Sequence, residues 1–349
     1  MNNTYLLLSA AIAAGLYFLW AVGSFLQRWS RLPNELVIST FEHWALHSLD
    51  VDVDTSRLER TWIEVNGIPI CISVLAQDFP TPTILFVPGT SAYSEIYVEF
   101  LFALHARGFN VVGYDPRGHG RSGGPRGDFI FEELWRDAVE IGRHARNRFG
   151  GKIAICGTSQ GGLTAFYAVS GSKVFAAAAC NNIADLNAHD NLILSKFRPP
   201  RWAVPGLIWL FRKPLARLVI PLSIYLDFNS QRLINGSDAS TFLSQAPLAV
   251  VFYTLRVLGS LALTPLPKPI EQMTEIPILV FQGENDSVFP LSYTRSVYAQ
   301  LRCPKELVVF PGMEHLVLTN NVSEIIEPIT AWLHRVLGEG DRTTDASRP

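Results

Sequence analysis

Ser159, Asp286 and His315 are the residues of this chain best suited by type and spacing to covalent chemistry. Ser159 stands in Gly157-Thr158-Ser159-Gln160-Gly161-Gly162, directly after the apolar run 153–156 and at the start of a helical pattern. A sharp strand-to-helix turn there raises the hydroxyl at the edge of a sheet, and glycines flank it because a Cβ would collide with the neighbouring strand and helix. The unpaired N–H groups of the new helix favour negative charge beside the serine. A hydroxyl is a weak nucleophile until a base takes its proton, and the base needs an acid to orient it. Two later strand ends offer both, in the chain order Ser, Asp, His. Run 278–281 leads into Gln282-Gly283-Glu284-Asn285-Asp286, and run 307–310 into Pro311-Gly312-Met313-Glu314-His315. His315 is the candidate base and Asp286 the acid that holds its tautomer, with Glu284 and Asp185 as rivals for the acid. Run 84–87 ends in Pro88-Gly89-Thr90-Ser91. The backbone N–H groups of Thr90 and Gln160 are the candidate oxyanion donors, each worth ~3 kcal/mol in a barrier.

These residues need a frame, and the hydrophobic pattern supplies one. Apolar runs at 62–65, 70–75, 84–87, 111–114, 153–156, 175–180, 278–281 and 307–310 read as strands. Asn66-Gly67 between the first two signals an antiparallel hairpin. The later runs are short and nearly continuous in apolar residues, as in strands covered on both faces. Helical stretches at 94–107, 131–149, 163–170, 292–301 and 323–337 alternate with them, the pattern of a doubly wound, mostly parallel sheet. Between 180 and 278 the rhythm breaks into a long, Pro-punctuated, helical-looking insertion. It is expected to fold over the carboxyl edge of the sheet, where such sheets bind ligands. The expected organisation is an anchor at 4–27, a connector at 28–59, a core at 60–182 and 273–338, a helical cap at 183–272 and a disordered tail at 339–349.

With 349 residues, 48% hydrophobic and 17% charged, the chain has ample material for a core and too few charges for disorder. Its 29 Lys+Arg against 31 Asp+Glu give a formal net charge of −2, so no global field gathers nucleic acid, and no nucleic-acid partner is expected. The four cysteines lack the spacing of a disulfide scaffold or metal site. His43 and His47 lie four apart, but no third ligand accompanies them, so no metal is expected.

Tyr114-Asp115-Pro116-Arg117-Gly118-His119-Gly120-Arg121-Ser122-Gly123, taken with Pro88-Gly89-Thr90, Gly157-Thr158-Ser159-Gln160-Gly161, Asp286 and His315, resembles the α/β-hydrolase superfamily. The likeness spans 60–337 and is greatest to the monoacylglycerol lipase and lysophospholipase branch. It implies an eight-stranded, mostly parallel sheet with an antiparallel second strand, helices on both faces, Ser–Asp–His catalysis on lipid-like esters and no cofactor. It also implies that Asp115, Arg117 and His119 shape a loop. The family often has His-Gly at the oxyanion turn, where this chain has Pro88-Gly89.

From 5 to 26 the chain runs without a charge, long enough to cross a hydrocarbon layer of ~30 Å. The preceding MNNT has no basic residue and the run is too long for a cleaved signal peptide, so a retained transmembrane helix is expected. Arg28 and Arg31 follow it, which places the rest of the chain on the cytoplasmic side. From 191 to 226 the insertion has no acidic residue, while Lys196, Arg198, Arg201, Arg212, Lys213 and Arg217 interleave with Trp202, Trp209 and Phe211. Such an element could lie among lipid headgroups or wall an acyl pocket; Trp202, Trp209 and Phe211 are the candidate substrate contacts.

Overall fold

The structure, a computed structural model, describes residues 12–15, 17–18, 46–187, 201–213, 215–227, 230–233 and 236–338. The main chain passes through β1 (Glu59–Val65), β2 (Ile68–Leu75), β3 (Thr83–Val87), α1 (Val98–Ala106), β4 (Asn110–Tyr114), α2 (Phe131–Phe149), β5 (Ile153–Thr158), α3 (Gln160–Gly171) and β6 (Ala177–Asn181). The insertion follows with α4 (Val204–Arg212), β7 (Val219–Pro221), α5 (Ala239–Gln245), β8 (Phe252–Thr254) and α6 (Leu255–Leu261). The chain then returns through β9 (Ile278–Gly283), α7 (Leu291–Gln300), β10 (Lys305–Phe310), α8 (Val317–Asn320) and α9 (Val322–Leu337).

Eight strands form one sheet in the order β1-β2-β4-β3-β5-β6-β9-β10. β2 runs antiparallel to both β1 and β4, and every pairing from β4 to β10 is parallel. Val65 pairs with Ile68 across a two-residue turn in which Asn66 and Gly67 both have positive φ, 51° and 74°. That conformation suits the twist of a hairpin. β3, β4, β5, β6 and β9 are buried at every position, whereas β1 and β10, at the edges, are not.

Alternate residues of each central strand feed opposite cores, as the two-residue period of a strand requires. Leu85 and Val87 pack with Phe131, Ile141, Phe166 and Val297, so α2, α3 and α7 cover one face. Ile84 and Phe86 pack with Phe100, Leu104, Ile325 and Trp332, so α1 and α9 cover the other. The strands thus deliver their carboxyl ends, with the loops after β3, β5, β9 and β10, to one edge.

The insertion is less purely helical than its sequence suggests, since β7 and β8 form an antiparallel two-stranded ribbon. The expected anchor lies outside the described residues except for 12–15, 17 and 18, which are helical and exposed. Among the described residues no helix is long and apolar enough to cross a membrane. His43, most of the connector, Lys196, Arg198 and the tail 339–349 also lie outside the described residues.

Candidate active site

Ser159 is the hinge between β5 and α3, with φ 53° and ψ −122°. This backbone conformation is unfavourable for a residue with a Cβ and persists only where its surroundings enforce it. The Ser159 N–H donates to the Asn181 carbonyl at 3.0 Å, and its own carbonyl accepts from Leu163 N–H at 3.0 Å. The flanking glycines allow the turn to close. A Cβ on Gly157 would be driven into the Gly161 carbonyl, one on Gly161 into the Val87 carbonyl, and one on Gly162 into that of Asn181.

The loops after β9 and β10 interlock beside this turn. Asn285 N–H donates to the Met313 carbonyl at 2.8 Å and Glu284 N–H to that of Phe310 at 2.9 Å. His315 Nδ1 lies 2.9 Å from Asp286 Oδ2, and both residues are buried. A carboxylate oxygen accepts, so Nδ1 carries the proton and Nε2 is left with its lone pair. Phe289 lies parallel to the His315 ring, with centroids 5.8 Å apart. Asp286 is held at its other contacts by N–H groups. Oδ1 accepts from Val288 and Phe289 at 2.9 and 2.8 Å, and Oδ2 also accepts from Asn182 Nδ2 at 3.0 Å. Burial works to raise its pKa, but the facing imidazole and these donors outweigh burial and hold the carboxyl below its ordinary value. The rivals stand elsewhere. Glu284 is exposed and accepts from Gly312 N–H at 3.1 Å, and Asp185 accepts from Asn187 N–H at 3.0 Å.

Ser159 and His315 line one cavity of about 50 Å³, whose apolar wall includes Ile96, Leu233, Phe242, Leu243 and Leu318. Ser159 also lines a second cavity of about 50 Å³ with Leu186, Tyr225, Leu226, Leu261 and Phe289. Thr90 borders both, and Gln160 the second. Thr90 Oγ1 donates to Gln160 Oε1 at 2.9 Å, which ties the turn after β3 to the start of α3. Gly89 lies so near that a Cβ on it would stand 3.5 Å from Ser159 Cβ. Gln160 opens α3, so its N–H lacks an intrahelical acceptor. Thr90 and Gln160, whose N–H groups are the expected donors, thus line one cavity together with Ser159.

Two of the three expected cap aromatics lie away from the site. Trp202 and Trp209 are 83% and 60% exposed and line neither cavity; the Phe211 side chain lies outside the described residues. Leu233, Phe242 and Leu243 line the first cavity with Ser159, and Tyr225 and Leu226 the second. Asn182, on the acid, was also beyond the reach of sequence reasoning. It has φ 76° and lies 104 residues from its partner.

Asp115, Arg117 and His119 shape the loop after β4. Asp115 accepts from Ser94 N–H and Oγ at 2.9 Å and from Arg121 N–H at 2.8 Å. Arg117 grips Asp137 at 2.6 and 2.7 Å. His119 is buried, and burial pushes its imidazole down to about 4 from 6.5. A lowered histidine pKa means that the unfolded chain takes up the proton first. Stability therefore falls as pH drops from 6.5 to about 4, by up to about 3 kcal/mol for this group. Urea unfolding at pH 7 and pH 4.5 checks this: His119→Gln should shrink the stability difference between them, and an undiminished difference assigns it to other groups.

Among the described residues, no group of three or more His, Cys, Asp or Glu is placed to hold a metal ion. The family model described as serine aminopeptidase, S33 (Hydrolase_4) matches residues 79–321. A monoacylglycerol lipase of Mycolicibacterium smegmatis is 24% identical over 294 residues, covering 80% of this chain and 98% of the relative. Among solved structures, a soluble variant of Saccharomyces cerevisiae monoglyceride lipase with a substrate analogue superimposes with a TM-score of 0.64 at 16% identity. It covers 82% of this chain and 97% of that one. Paleococcus ferrophilus monoacylglycerol lipase does so with a TM-score of 0.56 at 20% identity, covering 80% and 99%. The match over most of the chain, on the sheet just described, places this protein in the Hydrolase_4 (serine aminopeptidase, S33) family of α/β-hydrolases, similar to its monoacylglycerol lipases.

Proposed function

We propose that the chain is a serine hydrolase that cleaves carboxylic esters of lipid-like alcohols. Ser159 Oγ attacks the acyl carbonyl while His315 Nε2 takes its proton, and Asp286 stabilises the resulting imidazolium. The Thr90 and Gln160 N–H groups receive the oxyanion. Its collapse expels the alcohol, protonated by His315, and water then releases the acid from the acyl-serine by the same steps. The observation that carries this reading is the His315–Asp286 hydrogen bond, with His315 lining an apolar cavity that it shares with Ser159. The apolar walls and the likeness to monoacylglycerol lipases favour a lipid-like acyl group. A fluorophosphonate probe is expected to label the protein, with the label mapping to Ser159 by peptide mass spectrometry; a label elsewhere would falsify the assignment. Because the family model is described as a serine aminopeptidase, amide hydrolysis is the second reading. A matched panel of esters, thioesters and aminoacyl amides separates the two, with the ester expected to turn over fastest.

The same reading places the protein on a membrane, its catalytic part on the cytoplasmic side. The uncharged run 5–26 and the exposed Ile12, Tyr17 and Phe18 within it support an anchor. Exposed Trp202 and Trp209, with exposed Lys213 and Arg217 nearby, support a lipid-facing cap. Exchanging Lys196, Arg198 and Arg201 for glutamine should slow turnover of a lipid ester in anionic vesicles more than turnover of a short soluble ester. Equal effects on both would remove the cap from the membrane surface.

A further inference from the structure

The turn that carries Thr90 is tied to the insertion by a chain of buried hydrogen bonds. Residues 89–92 form a four-residue turn closed by Ala92 N–H donating to the Gly89 carbonyl at 3.2 Å. Its third residue, Ser91, has φ 67°, a conformation that turns of this kind normally give to glycine or asparagine. Both backbone groups of Ser91 are engaged by β8 and the residues just before it. Its N–H donates to Tyr253 Oη at 3.0 Å, and its carbonyl accepts from Val250 N–H at 3.1 Å.

Tyr253 is itself held from the far side. His119 Nδ1 lies 2.9 Å from the Arg117 carbonyl, which can only accept, so Nδ1 bears the proton. His119 Nε2, 2.9 Å from Tyr253 Oη, is then an acceptor and takes the tyrosine O–H. The lone pairs of Oη are thereby turned to Ser91, whose Oγ also lies 3.4 Å away. The order of donation is Ser91 to Tyr253 to His119 to Arg117, and Ser91, Tyr253 and His119 are all buried. Phe129 packs edge-on to the Tyr253 ring at 5.8 Å and fixes its plane.

We propose that Tyr253, backed by His119, is a positioning residue for the oxyanion turn. It holds Ser91 in its left-handed conformation and so aims the Thr90 N–H at the acyl oxygen; the inference rests on the function proposed above. Without the hydroxyl, Ser91 loses its N–H acceptor and relaxes toward negative φ, which rotates the peptide planes on either side of it. The turned Thr90–Ser91 plane changes the ψ of Thr90 and so tilts the preceding plane, Gly89–Thr90, which carries the Thr90 N–H; Tyr253 lines neither cavity, so their walls are kept.

The test is steady-state hydrolysis of a soluble ester by Tyr253→Phe, Ser91→Gly and the double variant in the full chain. Tyr253→Phe is expected to lower kcat about tenfold to a hundredfold, with KM within about twofold. Adding Ser91→Gly restores most of the loss, because glycine takes positive φ without help. A merely structural loss in the core would not be repaired by removing a side chain from the turn. If Tyr253→Phe does not fold, His119→Ala with and without Ser91→Gly gives the same comparison. Unchanged kcat in Tyr253→Phe, or no recovery in the double variant, overturns the inference. Ser159→Ala assayed in parallel separates the two failures: if it is inactive, this inference alone has failed, and if it is active, the proposed nucleophile is wrong.

Discussion

Ser159→Ala will lower kcat/KM for a lipid-like ester by roughly 10⁵–10⁶-fold, and His315→Ala by nearly as much. At 1.36 kcal/mol per tenfold, that is roughly 7–8 kcal/mol of lost transition-state stabilisation. The reasoning is that hydroxyl and base act as one unit. Without Nε2 to take the proton, Ser159 Oγ is a poor nucleophile, and without Oγ the imidazole has nothing to activate. The Ser159→Ala/His315→Ala double variant should therefore be no slower than either single one. Asp286→Asn should cost somewhat less, roughly 10⁴-fold. Asparagine at that place offers one oxygen and one NH₂ where Asp286 accepts from His315, Asn182, Val288 and Phe289. One acceptor is lost, and the imidazole tautomer is no longer dictated. Stopped-flow or steady-state rates for the four variants check the pattern, and losses that multiply in the double variant would show that Ser159 and His315 act independently.

Gly161→Ala should be nearly as damaging to activity, through the backbone. The added methyl would enter the Val87 carbonyl and then that of Pro88. Backbone cannot give way as a flexible side chain can, so α3 must retreat from the end of β3. Forced overpacking of this kind costs typically 1–3 kcal/mol of stability. The larger consequence is at Ser159, since a displacement of about 1 Å between reacting groups is worth on the order of a hundredfold in rate. Gly161→Ala is thus expected to melt a few degrees lower and to lose at least about a hundredfold in kcat. An active Gly161→Ala variant with unchanged melting would mean that the helix start has slack that the packing here denies it.

The sheet was legible because its central strands are buried on both faces, and the chain can satisfy that only with short, nearly unbroken apolar runs. All eight lie where those runs stand, shifted by a few residues at their ends. Ser159 was legible because its turn demands glycine at 157, 161 and 162, and Asp286 and His315 because each follows a strand that ends at the same edge. What escaped reading are contacts without a local pattern. Asn182 reaches Asp286 and Tyr253 reaches His119 across 104 and 134 residues, and nothing in either residue's neighbourhood announces the partner. The ribbon of β7 and β8 is three residues per strand, too short to display a period. Trp202 and Trp209 drew notice by their size, yet burial went to Phe242, Leu243 and Tyr253, whose neighbours look ordinary.

The pairing of β6 with β9 has a consequence for how the protein is born. During synthesis the first six strands leave the ribosome well before β9, because the whole insertion must be translated between Asn181 and Ile278. At roughly 5–20 residues per second that wait lasts roughly 5–20 s. Throughout it, β6 is an open border, Ala177-Ala178-Ala179-Cys180-Asn181, with unpaired amides and no charge to repel a neighbouring nascent chain. Crowded polysomes and chaperone shortage should therefore harm yield of this protein by aggregation at that border, and slower translation should aggravate it.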